Sequence, residues 1–224
     1  MQVIPGAEES GNIIPLGYWV LHSVCHTIRQ WADDGLPIVP VSVNVSARQF
    51  QQADFSAQVR EILHQHDIDP GWIELELTEG LLIKDTDAAR QCLQHLKRIG
   101  VRISIDDFGT GHSCLNYLQR FPIDTLKIDE SFVSDIGIGD GSSIIIEAII
   151  SLARSLKIDI VAEGVETQQQ LEFLVEKGCP VAQGYLFGHP IPGDGIRPLL
   201  EELHDEAEDS VIEPILSAAP ATGT

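Results

Sequence analysis

Apolar residues recur along this chain in two alternating periods, and the alternation predicts the order of its elements. Val20, Leu21, Val24 and Ile28 fall on one face of a helix over residues 15–34, with Gly35 after its end. Val41, Val43 and Val45 mark a strand by composition. Phe55, Val59, Ile62 and Leu63 repeat at helical spacing over 54–66. Pro70-Gly71 is a turn, and Ile73, Leu75 and Leu77 alternate with Glu74 and Glu76 as a strand. A helix over 85–99 turns Ala88, Ala89, Cys92, Leu93 and Leu96 inward and ends at Gly100. Ile103 and Ile105 then alternate with Arg102 and Ser104 in a strand that runs into Asp106, Asp107 and a glycine loop.

Beyond that loop the pattern predicts a short helix over 113–120, a strand over 125–129 and a strongly apolar helix over 142–156. A strand over 158–162, a helix over 167–177 closed by Gly178, a strand over 181–185 and a last helix within 193–204 follow. Residues 1–12 read as polar and turn-like. From Asp205 the chain is acidic, then rich in Ala, Pro and Thr, and residues 205–224 read as a disordered tail. Strand and helix alternate throughout, the signature of βαβ units and a parallel sheet. A TIM-type (β/α)8 barrel needs roughly 250 residues. With six predicted strands and an opening loop and helix, residues 1–204 are expected to form such a barrel, its first two strands lying upstream of Met1.

Composition narrows the function. A chain of 224 residues, 43% hydrophobic, suffices for one sizeable core. The formal net charge of −20 argues against binding duplex nucleic acid or an anionic membrane, which calls for a basic surface. It leaves open a small phosphate ligand held through metal ions. Cys25, Cys92, Cys114 and Cys179 are scattered without a C-x-x-C pair, which fits reduced thiols in a cytoplasmic protein. There is no signal-peptide pattern, and the longest apolar stretch, 144–153, is interrupted by Glu147 and Ser151 and too short to span a membrane.

The candidate chemistry sits at the strand ends. Two adjacent carboxylates, Asp106 and Asp107, repel each other unless a cation or a proton lies between them. In a barrel, functional groups gather at the C-terminal ends of the strands, and alternate residues point inward. That parity lets Asn44, Glu76, Asp106, Lys127, Glu163 and Gln183 face one mouth, with Asp107 just beyond on the loop. Oxygen ligands of this kind suit magnesium or manganese. Enough carboxylates for two ions suggests in-line phosphoryl displacement, with Lys127 orienting or deprotonating the attacking water, or balancing charge. Asp107-Phe-Gly109 lacks the companion motifs of a kinase, and Gly109-x-Gly111 lacks the third glycine of a dinucleotide loop. His22 and His26, four apart on a helix, have no adjacent glutamate motif and read as surface or packing residues. Trp19, Trp31 and Trp72 read as packing.

The ordered set Val43-Asn-Val-Ser46, Glu74-Leu-Glu-Leu-Thr-Glu79, Asp106-Asp-Phe-Gly-Thr-Gly111, Leu126-Lys-Ile-Asp129, Ala162-Glu-Gly-Val-Glu166 and Gln183-Gly-Tyr185 resembles the EAL-domain family of cyclic-di-GMP phosphodiesterases over residues 3–200. The resemblance implies a β/α barrel that hydrolyses cyclic di-GMP to linear pGpG with two Mg2+ or Mn2+ ions. By position, Asn44, Glu76, Asp106, Asp107 and Glu163 look like metal ligands, with Asp106 bridging, and Lys127 like the group that assists water. Gln183, Glu166 and Asp129 look substrate-facing, and Glu79 looks like the anchor of the 107–115 loop, a region the family also uses in homodimers. The Glu-Ala-Leu strand that names the family, with its ligand glutamate and nearby arginine, is absent from the 224 residues. Impaired turnover, or a nucleotide-binding module without turnover, is the corresponding expectation. His112 and Cys114 replace the family's usual Tyr and Ser, a change expected to matter little.

Overall fold

Strand follows helix from residue 41 onward, and all the strands run the same way. The computed structural model describes residues 3–83, 86–110, 118–138 and 140–202. Among these, six strands form one parallel sheet in sequence order: β1 Val41–Asn44, β2 Ile73–Thr78, β3 Arg102–Phe108, β4 Thr125–Ile128, β5 Asp159–Ala162 and β6 Val181–Ala182. Neighbours that are consecutive in sequence and parallel require a helical crossover each time. The result is a half-barrel, open between β1 and β6 among the described residues. An eight-stranded closure is therefore not what these residues form by themselves.

The helices are α1 Val3–Ser10, α2 Ile13–Asp33, α3 Ala47–Phe50, α4 Phe55–Gln65, α5 Glu79–Ile83, α6 Thr86–Ile99, α7 Glu130–Ser134, α8 Asp140–Leu156 and α9 Gln168–Lys177. Their apolar faces pack on one side of the sheet. There Ile73, Leu75, Leu77, Ile103, Ile105, Leu126 and Ile128 are fully buried in a single core with Leu21, Ile28, Phe55, Leu93 and Ile146. At roughly 1.5–3 kcal/mol for each large apolar side chain, this face supplies the main drive for folding.

Several boundaries differ from the sequence reading, each for a local reason. Residues 3–10 are helical rather than turn-like. Pro5 and Pro15 fall in the first turns of α1 and α2, where an absent N–H breaks no helical hydrogen bond. Strand β3 continues through both aspartates to Phe108, so Asp107 lies on the strand and not on the loop beyond it. It does so by a register shift against β4 between Ile105 and Phe108, with Asp107 at φ +54. Strand β6 stops after Val181–Ala182. A 3-10 turn over Gly193–Gly195 precedes the helical residues 197–202. The short helices α3 and α5 carry too few residues to show a period. Trp31 and Trp72 pack against the core, but Trp19 is 65% exposed. Cys25, Cys92 and Cys179 are free thiols. The short helix read at 113–120 falls largely outside the described residues, as do His112, Cys114, part of the 107–115 loop and the tail from 205. No helix among the described residues is long and apolar enough to cross a membrane.

Candidate active site

The other face of the sheet is polar, and it is built in layers by the two-residue period of each strand. The lower layer joins Glu74 of β2, Arg102 of β3, Thr125 of β4 and Asp159 of β5. Thr125 Oγ1 donates to Glu74 Oε1 at 2.7 Å, and Arg102 Nη2 donates to Asp159 Oδ2 at 3.0 Å. Arg102 Nε also reaches Glu74 Oε1 at 3.4 Å, and Ser42 Oγ donates to Glu74 Oε2 at 3.2 Å. The sequence reading missed this layer. Its signal is the same alternation that exposed the upper one: Glu74 precedes Glu76 by two, Thr125 precedes Lys127 by two, and Arg102 and Asp159 each precede their acid by four.

The upper layer centres on Lys127. Its side chain is 6% exposed, and Nζ lies 2.7 Å from Glu76 Oε1, 2.5 Å from Glu163 Oε1 and 3.7 Å from Asp106 Oδ1. An ammonium has three N–H groups. Two are taken by Glu76 and Glu163, and the Asp106 contact is too long for a hydrogen bond, so one remains for another oxygen. Burial disfavours the charged amine, but the carboxylates of Glu163 and Glu76 outweigh it and hold Lys127 above the ordinary lysine range.

Asp106, Asp107 and Glu163 lie together, with one carboxylate oxygen of each within 4.8 Å of the others. Three carboxylates thus lie within 4 Å of one amine, and a fourth, Asp107, adjoins two of them. The surplus of negative charge has visible consequences. Burial and the neighbouring Asp106 push Glu163 up to about 7, against the pull of Lys127. Asp107 is raised by burial, by Asp106 and by a hydrogen bond to Asp129. An all-oxygen donor set with uncompensated charge fits a hard divalent cation such as Mg2+ or Mn2+.

The remaining residues divide. Asn44 is paired in register with Glu76 at the end of β1, where it is exposed. Gln183 is exposed, its Nε2 3.4 Å from Glu163 Oε1. Asp129 caps α7 by accepting from Ser131 N at 2.9 Å while meeting Asp107 on its other side. Glu166 is exposed; its backbone N–H donates to Gln170 Oε1 at 2.8 Å within the capping box of α9, away from the cluster. Glu79 is buried, and its Oε2 accepts from Gly109 N at 3.1 Å, tying the start of the loop to the end of β2. Gly164 holds the turn after Glu163 at φ +68, where a Cβ would meet Glu130 Cβ at 2.5 Å.

A model of the EAL domain family matches residues 1–190. The bifunctional diguanylate cyclase/cyclic di-GMP phosphodiesterase MucR of Pseudomonas aeruginosa is 44% identical over 193 residues, 86% of this chain and 28% of MucR. The chain spans between about a quarter and a third of the length of the curated relatives it matches. The solved structure of PaMucR phosphodiesterase in complex with c-di-GMP superposes with a TM-score of 0.84 at 43% identity, covering 87% of this chain and 79% of that one. The manganese/cyclic-di-GMP complex of Klebsiella pneumoniae BlrP1 superposes at 0.69 with 29% identity, covering 77% of this chain and 44% of that one.

Proposed function

The chain belongs to the EAL domain family, and on that premise we propose that its strand-end cluster acts on cyclic di-GMP, hydrolysing it to linear pGpG with two Mg2+ or Mn2+ ions. The observation that carries this reading is the gathering of Glu76, Asp106, Asp107 and Glu163 around Lys127 at one end of four adjacent strands. Asp106, Asp107 and Glu163 would hold one ion, and Asn44 and Glu76 would share a second with Asp106. Bound there, the ions supply Lewis-acid activation of the phosphodiester and of its attacking water. The residues do the rest. Lys127 uses its remaining N–H to orient the water oxygen and offsets the charge of the carboxylates. Glu79 keeps Gly109, and with it the two aspartates, at the strand end. Gln183 and Asp129 face the substrate side of the cluster, and Glu166, exposed just before the capping box of α9, would meet the substrate from outside it.

We further propose that turnover by these 224 residues is weak. They contain no Glu-Ala-Leu tripeptide, and among the described residues the sheet is open between β1 and β6. The same two observations favour a second reading, a module that binds the nucleotide without cleaving it. Incubation with cyclic di-GMP and Mn2+, followed by chromatographic analysis of the nucleotides, tests both. Slow pGpG formation that is lost in Glu163→Gln supports the phosphodiesterase. Saturable binding of cyclic di-GMP by folded, Mn2+-loaded protein without any pGpG overturns it in favour of the binding module.

A further inference from the structure

We infer that His22, His26 and His66 form a transition-metal site on the outer helical layer, one that takes an imidazole-preferring ion of the zinc class. His22 and His26 are one turn apart on α2 and so lie on the same face of that helix. His66 is the C-cap residue of α4. The fold sets His66 against His22 and near His26: His22 Nδ1 lies 3.0 Å from His66 Nε2, and the His66 ring centre lies 5.3 Å from that of His22 and 6.3 Å from that of His26, so a turn of the His26 ring is what brings all three nitrogens within ligand reach.

A hydrogen-bonded pair of histidines would be satisfied with two rings. Here a third, exposed ring sits beside the pair. Two nitrogens bound to one tetrahedral ion at 2.0–2.1 Å are about 3.3 Å apart, so the 3.0 Å pair is already close to ligand spacing. An N-to-N contact also requires at least one of the two nitrogens to be an unprotonated acceptor, the form that binds metal. His26, at the surface, can turn about its side-chain bonds to complete three nitrogens and leave a fourth position for water.

The backbones that carry these rings are fixed. His66 N donates to Ile62 O at 3.2 Å, and Arg29 Nη1 of α2 donates to Asp67 O at 3.2 Å, tying the two helices together one residue from His66. Nothing in this trio touches the carboxylates at the strand ends. The two sites also sort by chemistry, since imidazole selects zinc, copper or nickel and carboxylates select magnesium or manganese.

The test is a calorimetric Zn2+ titration of the whole chain with Mg2+ in excess, so that the carboxylates stay occupied. The visible absorption of Co2+ serves as a second readout of nitrogen coordination. The expected result is one Zn2+ site that His22→Ala or His66→Ala weakens by at least roughly tenfold, the lower end of what losing even an outer partner of a metal costs. Asp106→Asn should leave it unchanged. His26→Ala, at an exposed position, should weaken it without disturbing the α2–α4 contact. The inference is overturned if Zn2+ affinity and the Co2+ spectrum are the same in all three histidine variants, or if the site disappears in Asp106→Asn and persists without the histidines. Neither result bears on nucleotide cleavage.

Discussion

Glu79 Oε2 accepts a hydrogen bond from the backbone of Gly109 at 3.1 Å, across 30 residues of sequence. Glu79 opens α5 directly after β2, and Gly109 directly follows β3, so one contact ties the ends of two neighbouring strands. Glu79→Ala takes the acceptor away from a part-buried hydrogen bond and is expected to cost about 1–2 kcal/mol. Glu79→Gln keeps an acceptor oxygen and should cost less. Urea unfolding of the three proteins checks the order. Because Asp106 and Asp107 lie three and two residues before Gly109, the alanine variant should also bind Mn2+ more weakly, measurable by calorimetry.

Gly164 makes a sharper case. It lies next to Glu163, at φ +68, with Glu130 Cβ 2.5 Å and Glu130 Cα 3.2 Å from where its own Cβ would stand. Gly164→Ala therefore meets both backbone strain and overlap, for an expected loss of about 2–4 kcal/mol. Gly141, with nothing near a built Cβ and no positive φ, is the control, and Gly141→Ala should change stability by less than about 1 kcal/mol. Thermal melts of both variants decide whether the turn or the mere loss of glycine matters.

The strand-and-helix order was legible because each strand's buried face, such as Ile73, Leu75 and Leu77, alternates strictly, and each long helix has an apolar stripe. The site was legible for the same reason: parity alone placed Glu76, Lys127 and Glu163 on one side of the sheet. What escaped the sequence was contributed by pairings between distant segments. The register shift that takes Asp107 onto β3 depends on its match to β4. The Glu74–Thr125 and Arg102–Asp159 contacts need the strand register before they can be seen. His66 joins His22 only through the packing of α4 on α2. Conversely, local pattern misled at residues 3–10, where Pro5 suggested a turn although a proline in a first helical turn is harmless; at Gly11, with φ +79, the turn is present.

Among the described residues Lys127 is the one cation within 4 Å of Glu76, Asp106 and Glu163, and its removal should be felt in both stability and chemistry. Lys127→Met leaves the buried Glu76 and the part-buried Glu163 without their counter-charge. The expected cost is about 3–5 kcal/mol in the absence of metal, the range for breaking a buried pair from one side. The double variant Lys127→Met/Glu76→Gln removes one of the stranded charges and should recover part of that loss. Chemical denaturation of the single and double variants reads this directly. Any pGpG formation should fall by roughly 100-fold or more in both, since neither restores a donor to the attacking water.

The carboxylate surplus predicts opposite effects of one substitution with and without metal. In metal-free protein Asp107 is repelled by Asp106, and Asp107→Asn relieves that repulsion. The variant should therefore melt at or above the temperature of the parent in the presence of a chelator. With Mn2+ the order should reverse. A ligand at a hundredfold excess over its dissociation constant stabilises the folded state by about 2.7 kcal/mol, and the parent, with all of Asp106, Asp107 and Glu163 ionisable, should gain more of this than the variant. Melting curves of both proteins with chelator and across a Mn2+ series test the crossing. If Asp107→Asn destabilises equally in both conditions, the residue is structural; if the curves cross, the carboxylates repel one another in the metal-free protein and the ion offsets that repulsion.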